Sequence, residues 1–278
     1  WLDVGPGEIH NTHACNDLFY DKKFQPHLRM IFRRLKEDGL VEPVGKRDGH
    51  WRVVDTSAAP LEWQDYEARA DSELILPFDL RKHVFIYPDT TIVVAGSKSS
   101  GKTGFLYRTV VLNMYQKRRV KLLTNLEGGI GQLRDRFAAM DVEIPRPAPF
   151  DVIHISENFH HYVKEPQTLY IIDYIDAPDG TDFFMIAAHI KKIDQKLHGL
   201  NSLAVIGLQK PFGRDWAFGG EQTLKAPALY LAIDTGHLKI VDAKVPVDPK
   251  LHPKNMQWKF KYDDAGTRFT DIEQWYGT

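Results

Sequence analysis

Thr90 to Leu112 reads TTIVVAGSKSSGKTGFLYRTVVL, and the rest of the chain is organised around it. Thr91 to Ala95 is a short β-branched, apolar run with the composition of a buried strand. Gly96-Ser97-Lys98-Ser99-Ser100-Gly101-Lys102-Thr103 follows and fits G-x-x-x-x-G-K-[ST] at every fixed position. A helical stretch comes next, with apolar residues at Phe105, Val110, Leu112 and Met114. Strand, glycine loop, helix is the order in which this motif cradles phosphate. Average residue usage yields the motif by chance on the order of once in a hundred chains of this length.

The spacing has a chemical reason. Gly96 and Gly101 let the backbone turn with its N–H groups pointing into one concavity. The helix that starts near Gly101 adds the positive end of its dipole. Lys102 supplies a mobile cation for the β- and γ-phosphates, and the Thr103 hydroxyl is placed to ligate Mg²⁺. Residues Gly96 to Gly104 are therefore the expected nucleotide site, with ATP and Mg²⁺ as its ligands.

The 278 residues suffice for one large domain or two modest ones. An apolar content of 43% with 26% charged residues is ordinary for a globular chain. The net charge of -1 gives no global attraction to nucleic acid, so any DNA contact must be a local patch. The lone Cys15 rules out an internal disulfide and fits a reducing cytoplasm. No run approaches the ~20 apolar residues of a membrane span, and no signal peptide opens the chain. A start at Trp1 rather than Met leads us to expect that the natural N-terminus is missing.

Residues 1–55 read as a separate module. Ile9 to Tyr20 is expected to form a short helix, and Pro26 to Glu37 a stronger one. Leu28, Ile31, Phe32 and Leu35 make an apolar stripe at helical spacing, with Arg29, Arg33, Arg34 and Lys36 mostly off it. Leu40–Val44 and His50–Val54 read as strands around a turn that carries Lys46 and Arg47. This order resembles a winged helix-turn-helix whose first helix would precede Trp1. Arg29, Arg33, Arg34, Lys46 and Arg47 are then candidates for duplex DNA. The alternative is a protein-contact module whose arginines form a solvated face, since Glu37, Asp38 and Asp48 dilute the patch. His10, His13 and Cys15 are too tightly spaced for a tetrahedral metal site and read as surface residues. Residues 56–79 are acidic, contain Pro60 and Pro77, and read as a linker with a short helix near Leu61–Ala70.

From residue 80 onward apolar runs alternate with helices, the pattern of a mostly parallel α/β sheet. Strands are expected at Val120–Leu126, Phe150–Ile155, Leu169–Ile175 and Leu203–Gln209. Helices fall between them at Ile130–Met140 and Thr181–His198. Leu229–Asp234, His237–Ala243 and Trp258–Tyr262 are closely spaced and read as antiparallel edge strands.

Three polar residues stand where such strands end. Asp173 closes the apolar run Leu169–Ile172, where a carboxylate can hold Mg²⁺ through water. Asp176 lies beyond that strand. Glu127 terminates another run and suits a general base on the far side of the γ-phosphate. Gln209 ends a third and could hydrogen-bond that phosphate. Open α/β sheets bind ligands at this edge.

The segments Leu123–Glu127, Leu169–Tyr174 and Leu208–Lys210 resemble those of RecA-fold ATPases, and most of all the motor domain of DnaB-type replicative helicases. The resemblance spans roughly residues 80–275, including Leu238–Lys244 and Gly266–Phe269 near the end. It implies that Glu127 is the catalytic base, Asp173 the Walker B aspartate, and Gln209 the residue coupling the γ-phosphate to a DNA loop. It also implies a homo-oligomer, such as a hexamer, with ATP at subunit boundaries. Lys244 matches a lysine of this family that reaches the neighbouring subunit's γ-phosphate, but Pro246 stands where an arginine would follow. Lys244 alone, or another arginine such as Arg214, would have to serve.

The resemblance places two loops toward DNA. Residues 176–182 are poor in positive charge. Residues 210–225, KPFGRDWAFGGEQTLK, combine Lys210, Arg214 and Lys225 with Phe212, Trp216 and Phe218, a mixture suited to single strands. A lid over the nucleotide or a subunit contact would use the same residues. Two functional readings follow: an ATP-driven DNA motor or remodeler, or an ATP-switched DNA-binding regulator or replication initiator with weak turnover. A small-substrate kinase fits less well, because no lid-like arginine cluster adjoins the phosphate loop.

Overall fold

The computed structural model describes residues 8–11, 14, 22–45, 49–54, 63–65, 71–175, 183–263 and 266–276. The chain divides into two compact units, Trp1–Tyr66 and Glu67–Thr278.

In the first unit, β1 (Glu8–His10), β2 (Val41–Pro43) and β3 (His50–Val53) form an antiparallel sheet in the order β1-β3-β2. The helix α1 (Gln25–Glu37) carries Pro26 in its first turn, where a missing N–H costs nothing. Its buried face is Leu28 and Phe32, and Phe32 stacks on Trp51 at 5.6 Å. Ile9, Ala14 and Val41 complete this small core. Two expectations are corrected here. Ile9 and His10 are strand, paired with Trp51 and His50, because Ile9 is needed to cover one edge of the hairpin. Ile31 is 44% exposed and does not join the stripe. His13, Cys15, Lys46, Arg47 and most of the expected Leu61–Ala70 helix lie outside the described residues; Trp63–Asp65 is a 3₁₀ turn.

The second unit is built on a nine-stranded sheet. Its strands are β4 (Thr90–Gly96), β5 (Arg119–Thr124), β6 (Phe150–His154), β7 (Thr168–Ile175), β8 (Leu203–Gln209), β9 (Leu229–Asp234), β10 (His237–Ala243), β11 (Gln257–Tyr262) and β12 (Phe269–Trp275). The order is β12-β11-β10-β9-β4-β8-β7-β5-β6. From β9 to β6 the pairing is parallel, and β10, β11 and β12 add on antiparallel. The helices are α2 (Lys102–Asn113), α3 (Gly129–Ala138) and α4 (Phe184–Leu197).

Side chains alternate between the two faces of each strand. Ile92 and Val94 of β4, with Leu169 and Ile171 of β7, face α2 and α3 through Phe105, Leu106, Val110 and Phe137. Val93, Ala95, Tyr170 and Ile172 face the other way, toward Ile186, Ile190, Ile193 and Leu197 of α4. Both faces are covered, so the parallel strands read as continuous apolar runs.

The structure redraws three expected boundaries. Residues 71–79 are core rather than linker: Leu74, Leu76 and Phe78 are buried, and Asn113 brackets Ile75 by accepting from its N–H at 3.0 Å and donating to its carbonyl at 2.7 Å. β5 stops at Thr124, where the Thr124 hydroxyl accepts from the Leu126 N–H and Leu126 turns left-handed. β7 continues past Asp173, which is paired in register with Thr124. Residues 176–182, the first expected DNA loop, fall outside the described residues.

Candidate nucleotide site

Parallel pairing aligns the C-terminal ends of β4, β8, β7 and β5 on one edge, with Gly96 opposite Gln209 and Thr124 opposite Asp173. The loop leaving β4 turns through positive φ at Ser99 and Gly101, then enters α2 with Phe105 N–H donating to Gly101 O at 2.9 Å. Gly96 is obligatory for space: a β-carbon there would lie 2.6 Å from Ser100 Oγ and 2.7 Å from Lys102 Cβ.

Gly96 to Gly104 line one wall of a cavity of about 620 Å³, and Asp173, Glu127 and Gln209 line others. Lys102 Nζ lies 3.4 Å from Asp173 Oδ1 and 4.0 Å from the centre of the Tyr174 ring. Burial pulls the Lys102 pKa down, and the Asp173 charge opposes that shift. The Thr103 hydroxyl donates to the same Asp173 oxygen at 3.3 Å. Asp173 is 5% exposed, so its charge acts in a poorly solvated place.

A hydroxyl and a carboxylate converging on one point are the hard oxygen donors that Mg²⁺ selects. Among the described residues no cluster of three or more His, Cys, Asp or Glu could hold a metal alone. Thr103 and Asp173 therefore fit an ion that takes its other ligands from water and phosphate. Ser100 Oγ is buried without a hydrogen-bond partner in the same loop, a polar atom left for a ligand to satisfy.

The other expected residues divide into three groups. Glu127 is exposed at the cavity lip, with its N–H held by Asn125 Oδ1 at 3.2 Å, and Gln209 is half-buried on the opposite wall. Arg29, Arg33 and Arg34 are exposed along α1; Arg214 and Lys225 are exposed and Trp216 half-buried in the loop after β8. Two lie elsewhere. Lys244 follows β10, whose Ala243 pairs with Leu229 at the start of β9, so it sits at the edge opposite the cavity, donating to Ala226 O at 2.7 Å. Lys210 is not a surface charge: its side chain is fully buried and ion-paired with Asp234 at 2.7 Å.

Sequence reasoning missed Tyr107, Gln132, Arg136 and Tyr262, all of which line the cavity. Thr103 and Tyr107, like Gln132 and Arg136, are four residues apart on one helix face, a signal available in the sequence. Burial, then the Asp173 charge, pushes the Tyr107 hydroxyl up to about 12. Tyr262 belongs to distant β11 and donates its hydroxyl to Ser99 O at 2.8 Å.

Fold and site together define a P-loop chain of RecA-like architecture, resembling the motor domains of DnaB-type helicases. No family model and no curated protein matches the sequence. Among solved structures, the ATPase domain of a DnaB-like helicase superposes with a TM-score of 0.51 at 12% identity, covering 67% of this chain and 86% of that one. The RadB recombinase gives a TM-score of 0.48 at 14% identity, over 68% of this chain and 93% of that one. Among the described residues no helix is long and apolar enough to cross a membrane.

Proposed function

We propose that this chain is a Mg²⁺-dependent ATP hydrolase that couples turnover to a DNA-contacting loop. The observation that carries this reading is the arrangement of Lys102, Thr103, Asp173, Glu127 and Gln209 around one cavity at the carboxyl edge of the sheet. Lys102 and the loop N–H groups bind the β- and γ-phosphates. A magnesium ion held by Thr103 and Asp173 would neutralise charge on those phosphates. Glu127 takes a proton from a water whose oxygen attacks the γ-phosphorus; the bond to the ADP oxygen breaks, leaving ADP and phosphate. Gln209 orients the phosphate and sits at the root of the loop 210–225. In that loop Arg214 and Lys225 supply charge and Phe212, 83% exposed, supplies a stacking face for single-stranded DNA. The exposed α1 arginines add a contact to duplex DNA. A homo-oligomer in the cytoplasm is the expected setting.

The deciding experiment is Glu127→Ala with a single-stranded oligonucleotide. Turnover is expected to fall about 10²- to 10⁴-fold with ATP binding kept. Unchanged turnover, or turnover blind to DNA, would sink the motor reading.

A second reading, an ATP-switched regulator or replication initiator, is favoured by two contacts. Lys244 Nζ is held by the chain's own Ala226 carbonyl, and Pro246 forms a β-bridge with Val84. Gel shifts at several salt concentrations, with and without ATP, separate the two. Site-specific duplex binding with negligible turnover selects the switch.

A further inference from the structure

The end of β4 is tied on both sides. Along the backbone, Lys210 N–H donates to Gly96 O at 3.0 Å and Ser97 N–H to Ile233 O at 3.4 Å. Above these bonds a second, side-chain link crosses the same strand end. Ser97 Oγ donates to Asp234 Oδ1 at 2.7 Å, while Lys210 Nζ donates to Asp234 Oδ2 at 2.7 Å and to Arg214 O at 2.7 Å. Because β4 lies between β8 and β9, the Lys210–Asp234 pair spans the exit of the phosphate loop. One end grips a residue of that loop, and the other grips the backbone of the segment carrying Phe212 and Trp216.

We infer that Lys210 and Asp234 are positioning residues that make Ser97 and the 210–225 loop move together, so nucleotide occupancy sets the conformation of the loop. This rests on the nucleotide reading above. A fully buried ammonium tolerates few arrangements, because withdrawing either oxygen leaves a charge without solvent to replace it. If phosphate draws Ser97 inward, Asp234 is the group that must follow or lose its bond. Lys210 follows Asp234, and the Arg214 carbonyl is then released or dragged. Bistable contacts of this kind turn small shifts into discrete ones. By linkage, a ligand that fixes the loop tightens nucleotide binding by the same factor.

The test reads Trp216 emission, by difference against Trp216→Phe, while a non-hydrolysable ATP analogue and Mg²⁺ are added. The wild type is expected to bind the analogue and change its Trp216 emission. The double variant Lys210→Met/Asp234→Leu leaves no lone buried charge. It is expected to bind about two- to tenfold more weakly, through loss of the Ser97 bond, with no emission change at saturation. Asp234→Asn serves as the second variant, read the same way. A wild type that does not bind the analogue overturns the nucleotide reading and this inference together. Binding with an undiminished Trp216 response in the variants, or with none in the wild type, overturns the inference alone. Failure of both variants to fold would assign the pair to stability and also overturn it.

Discussion

Gly104, in the first turn of α2, lies so close to the carbonyl oxygen of Gly266 that a β-carbon on it would overlap that atom. The connection from β11 to β12 is thereby seated on the phosphate-loop helix, and Tyr262 secures it by its bond to Ser99. Gly104→Ala must push the two segments apart. We expect a cost of about 1–3 kcal/mol, a fall in Tm of roughly 2–12 °C, and weaker nucleotide binding. Calorimetry checks it, and an unchanged Tm would show that the close approach is not needed.

Arg136 is the cation that the sequence reading overlooked. It lines the cavity near Lys102, whose pKa it helps to lower, and makes no hydrogen bond or ion pair among the described residues. A guanidinium placed there is free to meet phosphate. Arg136→Ala is expected to weaken binding of an ATP analogue about 10- to 150-fold, matching a charge-assisted hydrogen bond. Arg134→Ala, on the exposed side of α3, should leave binding unchanged. Equal effects of the two would show that only general positive charge matters.

The decisive parts of the fold were legible because their chemistry is local. The phosphate loop, its strand and its helix are contiguous, and β8, β9 and β10 follow the apolar runs to the residue. What escaped was set by distant pairing. Lys210 reads as a surface base beside Phe212 and Arg214, yet its burial follows from Asp234 arriving on the far side of β4. The stretch through Pro77 reads as linker by composition, although Leu74, Leu76 and Phe78 alternate and are buried. β5 ends early because Thr124 caps its own turn, which an apolar Leu126 conceals.

Tyr107 ties the site to alkaline stability. Its hydroxyl, ordinarily near 10, is pushed to about 12 by burial and then by Asp173. The folded chain therefore keeps this proton where the unfolded chain gives it up. Its contribution is fully present below pH 10 and is lost as pH rises through about 12. The loss is on the order of 2 kcal/mol. Lys102, held low by burial, works in the opposite direction, so the comparison is with Tyr107→Phe rather than with theory alone. Denaturant melts of both proteins across that range should show the steeper decline in the wild type. Parallel curves would mean the phenol is better solvated than its surroundings suggest.

The α1 arginines separate a DNA-facing helix from a solvated one. Arg29, Arg33 and Arg34 are exposed, with Leu28 and Phe32 turned into the core between them, so alanine at all three leaves the buried face intact. Each arginine bound to a phosphate releases counterions, which makes log K fall with log salt by about 0.9 per contact. The triple variant is therefore expected to bind duplex DNA more weakly at every sequence. Its salt slope should be shallower by up to about three such steps. A titration series on one duplex at rising salt measures this directly. If the slope stays where it was while the helix remains folded by circular dichroism, these arginines face solvent or protein, and the basic face of α1 does not touch the phosphate backbone.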